Sequence, residues 1–498
     1  MVARAHTVAF MGVEAKPVEV QCAVAAGIPA FSIVGLPDKA VSESKERVRA
    51  ALTACGMAMP AGRVTVNLSP ADLPKTGSHF DLPIALALMA ALEVLPKGEV
   101  DRVVSLGELS LDGEVRAVQG ALPAALLAAA SDKALCCPAA SGAEAAWVGA
   151  CEVLAPGSLL ALVNHFKGES PLCSPEPGPV AAIGRTNDLA DVKGQEVARR
   201  ALEVAAAGGH NMLMVGPPGS GKSMLARCLN GLLPPLTPPE ALEVSTIRSL
   251  AEEPGAGAMA QARPFRQPHH SASRAAMVGG GPRVGPGQIS LAHQGVLFLD
   301  ELPEFDRDVL EALREPLETG ELVIARAGNH ITYPARFQLI AAMNPCRCGY
   351  LADASRACNQ APRCGEKYQN RLSGPLLDRF DIRIDVPPVS PETLSLPPHE
   401  ETSAKVARRV AAARAAAEAR DGPGAMNALL EGEALEAACR LDPESQALLS
   451  RAAEKLRLSA RGYHRVLRLA RTVADLEGAG SIRRPHIAEA VSYRRALA

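Results

Sequence analysis

Eight consecutive residues, Gly216-Pro217-Pro218-Gly219-Ser220-Gly221-Lys222-Ser223, fit the pattern G-x-x-x-x-G-K-[ST] without substitution. Glycines in such a loop let backbone N–H groups close around phosphate oxygens, the lysine reaches the β- and γ-phosphates, and the hydroxyl holds Mg²⁺. Here those last two roles fall to Lys222 and Ser223, with Met224 next to them at the start of the following segment. An apolar run at 212–215 precedes the loop and a helix-compatible run at 224–229 follows it. Strand, loop and helix is the setting in which the pattern has physical meaning, because the helix N-terminus adds partial positive charge. The chemistry implied is binding and hydrolysis of ATP with Mg²⁺.

Further polar groups end the apolar runs that follow. The run 296–299 ends in Asp300-Glu301, which places Asp300 to support Mg²⁺ and Glu301 to orient the attacking water. The run 339–343 ends in Asn344, whose amide can contact the γ-phosphate or the water. Arg379, within Leu376-Leu377-Asp378-Arg379-Phe380-Asp381, suits an arginine finger supplied to a neighbouring subunit. Arg461 opens a late helix and can fold onto the γ-phosphate, with Arg465 one turn on as the competing choice. Cys346, Cys348, Cys358 and Cys364 lie between Asn344 and Arg379; they offer zinc a tetrahedral set, with Asp353 able to replace one ligand, or they are four free thiols. His269-His270 offers a metal or catalytic role, but adjacent side chains on a regular element diverge, which favours a structural role near the loop base.

These groups need a scaffold. A chain of 498 residues holds about three domains. Proline-rich breaks at 168–184 and 387–398 divide it into an α/β domain (1–168), a linker (169–187), an α/β core (188–388) and a helical lid (389–498). The 52 Lys and Arg against 54 Asp and Glu exclude a globally basic nucleic-acid coat, and 3% aromatic content argues against base stacking as the main binding mode. No apolar run approaches the ~18 residues of a membrane span, and residues 1–10 do not read as an export leader. Twelve cysteines in such a chain fit a reducing, cytoplasmic setting. In the last region Arg451, Lys455, Arg457, Arg461, Arg465, Arg468, Arg471, Arg483, Arg484, Arg494 and Arg495 outnumber the acids, forming either a binding face or a solvated one.

The order of phosphate loop, Asp-Glu strand, Asn strand, Leu-Leu-Asp-Arg-Phe-Asp and arginine-bearing lid is similar to that of AAA+ ATPases, in their magnesium-chelatase-like and MCM-like branch. Four longer strings, at 31–46 (FSIVGLPDKAVSESKE), 66–83 (VNLSPADLPKTGSHFDLP), 263–270 (RPFRQPHH) and 289–305 (ISLAHQGVLFLDELPEF), resemble the ComM/YifB family. The resemblance covers nearly the whole chain. It implies an α/β fold with an AAA+ P-loop core and helical lid, a homohexameric ring, and ATP-driven branch migration or strand separation of single-stranded, forked or branched DNA in natural transformation or recombination. A chelatase-type ATPase that remodels a protein partner is the alternative. In the MCM-like branch hairpins line the channel at two places, matched here by 274–288, too rich in glycine and proline for regular structure, and by 322–333, a hairpin turning at Gly328-Asn329. Arg274 and Arg283 in the first, and Arg326 and His330 in the second, would bind DNA phosphates without reading sequence; ordinary surface turns are the other reading.

Residues 73–78 and 107–113 resemble segments of the Lon protease domain, which uses a Ser–Lys dyad. On that alignment His79 stands where the nucleophile belongs, Pro123 where the lysine belongs, and Ser78 is one residue out of register. This argues for a non-proteolytic relative and against an unfoldase–protease. His79 and Asp81 then read as satisfied structural groups.

Overall fold

The computed structural model describes residues 2–180, 187–251, 258–280, 285–326, 329–351 and 356–494. Strands β1 (Val2–Met11) and β2 (Glu14–Ala26) form a long antiparallel hairpin. With β3 (Ala30–Val34), β4 (Gly62–Ser69), β5 (Val103–Ser105), β6 (Ala134–Cys136) and β7 (Val153–Leu154) they make a mixed sheet in the order β3-β4-β2-β1-β5-β6-β7. Burial alternates along these strands, with Val18, Val20, Cys22, Val64, Val66 and Leu68 turned inward. That period of two sets one face against helices α1 (Lys39–Ala54) and α2 (Asp81–Ala91). The first ten residues of α2 are all buried, as expected of a helix apolar on every side.

Polar groups in this core are paired. Arg47 grips Asp81 through two bonds of 2.6 and 2.9 Å, and the Leu109 N–H donates to the same carboxylate. Lys75 donates to the Pro70 carbonyl. His79 bonds the Val8 carbonyl at 2.9 Å and packs between Phe10 and Phe80. Both residues therefore sit as structural groups.

A second sheet is wholly parallel. Its strands are β8 (Met212–Val215), β9 (Phe265–Arg266), β10 (Val296–Leu299), β13 (Gln338–Met343) and β14 (Ile382–Asp385), in the order β9-β10-β13-β8-β14. Strands β11 (Glu321–Arg326) and β12 (Asn329–Pro334) form a separate hairpin. A parallel sheet covered on both faces needs continuous apolar strands, and β8, β10 and β13 are buried at every residue. On one face Met212, Met214, Phe298, Ile340 and Ile384 pack with α3 (Glu196–Gly208) and α4 (Lys222–Leu229). The same cluster takes in Val406 and Val410 of α6 (Ser403–Asp421), Val466 and Leu469 of α8 (Ala460–Leu476), and Ile487 of α9 (Arg484–Ser492). The carboxyl-terminal helices thus share a core with the sheet. On the other face Leu213, Leu297, Leu299, Leu339 and Ala341 pack beneath Phe305 and Phe380.

Several lid arginines work internally. Arg465 pairs with Asp381, Arg468 caps the Leu430 carbonyl, Arg471 bonds Asp475 and the Ala479 carbonyl, and Arg494 bonds the Phe380 carbonyl. These four are neither a solvated face nor a binding face. Arg495 lies outside the described residues. The two sheets meet where the Gly120 N–H donates to the Ser249 carbonyl at 2.8 Å and where the turn at Gly12 lies on the Thr332 carbonyl of β12.

Burial holds His79 down to about 4, from an ordinary 6.5. The unfolded chain therefore takes up this proton first as pH falls. Stability is complete above pH 6.5 and is lost toward pH 4, by on the order of 3 kcal/mol. In denaturant titrations of the full chain, His79→Leu is expected to flatten this pH dependence; an unchanged slope would refute the assignment.

Candidate nucleotide site

The loop 216–221 leaves β8 and enters α4 directly. Gly216 has no room for a side chain, because a Cβ there would lie 2.1 Å from the Val386 carbonyl oxygen. Gly219 and Gly221 adopt φ of +77° and +92°, where glycine is favoured. Ser220 is buried at the loop's inner side and Pro218 is exposed at its crest. Lys222 is only 7% exposed, and its Nζ donates to the carbonyls of Gly216 and Pro217 at 2.8 Å each. Burial lowers the pKa of this ammonium while Asp300 and Glu301 oppose the shift.

Register brings the other groups to the same edge. Val215 pairs with Met343, so Gly216 and Asn344 leave the sheet side by side, and Leu299 pairs with Ala341, so Asp300 leaves the same edge two residues earlier. Asn344 Oδ1 lies 3.4 Å from Lys222 Nζ. Ser223 Oγ donates to Asp300 Oδ2 at 2.6 Å. A hydroxyl and a carboxylate held together are hard oxygen donors that fit Mg²⁺, which would neutralise phosphate charge there. Met224 is half-buried beside them and packs on the core.

Glu301 adopts φ of +53°, a left-handed conformation costing about 1–3 kcal/mol outside glycine. Its N–H bonds Asp300 Oδ1 at 3.0 Å, and its Oε2 lies 3.2 Å from His270 Nδ1. His270 therefore faces Glu301, and its ring packs 4.2 Å from that of His269. The sequence alone did not point to that contact. The signal was the register: Phe265 pairs with Val296, and the same offset sets His270 opposite Glu301.

Arg379 and Arg461 lie elsewhere. Asn211, just before β8, bonds the Arg379 carbonyl through Nδ2 and the Asp381 carboxylate through its N–H. Arg379 is thus anchored at the amino edge of the sheet, roughly 16 Å along β8 from Gly216 at ~3.3 Å per residue. Its guanidinium bonds Glu318 at 2.7 Å, and Arg461 approaches the other oxygen of Glu318 at 3.8 Å. Glu318, not singled out from the sequence, gathers both cations. The competing Arg465 is 12% exposed and engaged with Asp381.

The segment around 274–288 is more regular than its composition implied. A short helix, Arg274–Val278, leads into Gly279–Gly280, which pairs antiparallel with Gly285–Pro286. Glycine permits the φ of +95° and +105° at the first two positions. Arg274 is exposed; Arg283 lies outside the described residues. The expected second hairpin is β11–β12, with Arg326 paired to Asn329; Gly328 of the expected turn lies outside the described residues. His330 is exposed near that tip. The two ribbons adjoin, since a Cβ on Gly280 would lie 4.0 Å from Ile324 of β11.

Cys346, Cys348 and Cys364 converge, their sulfurs all within 4.8 Å of one another, and Cys358 contacts the thiols of Cys348 and Cys364. Asp353 lies outside the described residues. No helix among the described residues is long and apolar enough to cross a membrane.

Three family profiles match the chain: subunit ChlI of Mg-chelatase at 18–141, magnesium chelatase subunit ChlI at 188–394, and its C-terminal part at 400–494. The protein YifB of Escherichia coli K12 is 45% identical over 492 residues, covering 98% of this chain and 96% of that protein. The competence protein ComM of Haemophilus influenzae is likewise 45% identical over 492 residues, with the same coverage of each. The chain belongs to the ComM/YifB family. It is a magnesium-chelatase-like AAA+ protein with a mixed α/β fold. The 38 kDa magnesium-chelatase subunit of Rhodobacter capsulatus is more distant, 28% identical over 322 residues, covering 59% of this chain and 83% of that protein.

Two replacements separate binding from hydrolysis in this family member. Lys222→Ala is expected to abolish ATP turnover together with tight nucleotide binding. Glu301→Gln is expected to keep binding while turnover falls on the order of 10²–10³-fold. Equilibrium binding of a fluorescent ATP analogue beside a phosphate-release assay checks both; wild-type turnover in Glu301→Gln would remove the acid from its role.

Proposed function

We propose that the protein is an ATP-hydrolysing motor that assembles as a homohexamer and acts on DNA. The observation that carries the ATPase reading is the convergence of Lys222, Ser223, Asp300, Glu301 and Asn344 at one edge of the parallel sheet. In this reading 188–388 are the core, 389–498 the lid, 169–187 the linker, and 1–168 a non-proteolytic accessory domain.

Lys222 exchanges its two loop carbonyls for phosphate oxygens. Ser223 and Asp300 hold Mg²⁺, Glu301 orients and polarises the attacking water, and Asn344 contacts the γ-phosphate. Arg379 and Arg461 are anchored too far from their own loop to join it. They serve the nucleotide of the adjacent protomer, which makes ring assembly a condition of turnover.

The DNA reading rests on the adjoining ribbons, on exposed Arg274 and His330, and on the relative named for competence over nearly its whole length. Phosphate contacts of that kind grip a strand regardless of sequence, as translocation demands. Branch migration of incoming DNA in natural transformation is the task the family resemblance implies. The chelatase-type reading draws on the magnesium-chelatase likeness and differs in its partner.

The arginine assignment is tested by mixing subunits. Arg379→Ala alone is expected to lower turnover roughly 10³-fold with nucleotide still bound. Mixing it with inactive Lys222→Ala should restore activity, because some interfaces then pair an intact loop with an intact arginine. No recovery on mixing would place Arg379 in its own site or in a purely structural role.

The partner is tested with a mobile four-way DNA junction. ATP, but not a non-hydrolysable analogue, is expected to drive branch migration, and DNA should stimulate turnover. The double variant Arg326→Ala, His330→Ala is expected to lose the stimulation and keep the basal rate. Turnover indifferent to DNA but raised by a protein partner would favour the chelatase-type reading.

A further inference from the structure

The cysteine cluster is not used by the hydrolysis described above. Cys346 is fully buried, Cys364 is 9% exposed, and Cys348 Sγ lies 3.0 Å from Cys346 Sγ. Four thiolates at Zn–S ≈ 2.3 Å stand about 3.8 Å apart, so the sulfurs of Cys346, Cys348 and Cys364, already within 4.8 Å of one another, need only small shifts to close on one ion, with Cys358 beside Cys348 and Cys364 as the fourth donor. The donors are all sulfur, which selects zinc over Mg²⁺ or Ca²⁺. Arg347, Arg356 and Arg363 interleave the cysteines and supply positive charge against the net negative charge of a tetrathiolate site. The other eight cysteines do not form such a group among the described residues.

The surroundings say what such an ion would hold. Cys346 follows Asn344 by two residues, so one end of the cluster is tied to the strand edge that faces the phosphate loop. The Cys346 carbonyl accepts from the Gly349 N–H at 3.0 Å, closing a tight turn. That turn presses on the crest of the phosphate loop: a Cβ on Gly349 would stand 2.5 Å from Pro218 Cδ. Cys364 belongs to α5 (Arg363–Gln369), and Gln369 Nε2 reaches back to the Pro345 carbonyl at 3.3 Å.

We propose that Cys346, Cys348, Cys358 and Cys364 form a structural zinc site that braces the turn 346–349 against Pro218 and so sets the position of the phosphate loop. Zinc binding stands on the thiols alone; its effect on the loop rests on the nucleotide reading above, and the two are measured separately. Removing the ion frees the turn, and nucleotide binding weakens on the order of tenfold.

The full chain, purified without chelators, is expected to carry one zinc per chain by elemental analysis. Cobalt grown into the protein in its place should give the intense visible bands of a tetrahedral ion and the near-ultraviolet charge transfer of thiolate ligation. Cys346→Ser and Cys358→Ser are each expected to lose the zinc, whereas Cys173→Ser, an exposed cysteine elsewhere, keeps it. If those variants fail to fold, titrating the wild-type chain with a mercurial reagent should release zinc as the cluster thiols react. Stoichiometric zinc in both cluster variants, or wild-type protein with no zinc and either free thiols or a disulfide among these four cysteines, overturns the site. Zinc-free chain that binds a fluorescent ATP analogue as tightly as the zinc-loaded chain overturns the brace.

Discussion

A parallel sheet buried on both faces leaves only its two ends for chemistry, and the two ends are not equivalent. Every strand of this sheet runs the same way, so the loops after β8, β10 and β13 collect at one edge and the turns before them at the other. Lys222, Asp300, Glu301 and Asn344 occupy the first. Arg379 is clamped to the second by Asn211, whose side chain also accepts from the Leu339 N–H of β13. One rigid body cannot fold its own amino edge onto its own carboxyl edge. In the ring proposed above, an arginine placed there would serve the opposite edge of a second copy. Strand direction is what supports that proposal, and Glu318 keeps both arginines paired with a carboxylate at that edge.

The strained acid gives the edge a second property. Glu301 is held in a left-handed conformation by its N–H bond to Asp300 and by the contact of its carboxylate with His270. From His270 the chain runs through the short helix Arg274–Val278 into the glycine ribbon, and the ribbon touches β11. The residue that faces Glu301 is therefore joined by a short stretch of backbone to the two adjoining ribbons. In the motor proposed above, movement of the ribbon and release of Glu301 from His270 would share that segment and link DNA contact to hydrolysis.

How much of this could be read in advance follows from element length. Strands β8, β10 and β13 were visible because each is a continuous apolar run that stops at a polar group. Strand β9, only Phe265–Arg266, has no period to read, and β14 interleaves Arg383 and Asp385 with two isoleucines, so both escaped notice; with β9 went the register that sets His270 against Glu301. The lid arginines were misjudged for the opposite reason. Charge counted along a sequence does not distinguish a solvated guanidinium from one that satisfies buried carbonyls, as Arg471 does at Ala479 and Arg468 does at Leu430. Glycine density at 279–287 looked like absence of structure, yet glycines at φ near +100° are what let the backbone turn and pair so tightly.

The amino-terminal sheet acquires a role from where it touches. The polar groups singled out there are engaged: His79 with the Val8 carbonyl, Lys75 with the Pro70 carbonyl and Asp81 with Arg47. Among the described residues, the sheet's contacts with the second half of the chain include Ser249 at the end of the helix Pro238–Ser249 and Thr332 in the second hairpin. A Cβ on Gly12 would lie 2.5 Å from the Thr332 carbonyl, so the β1–β2 turn sits hard against one strand of that hairpin. That contact supports the hairpin, since an isolated two-stranded ribbon is only marginally stable. The amino-terminal sheet supplies that support, and through it governs how firmly the hairpin is held.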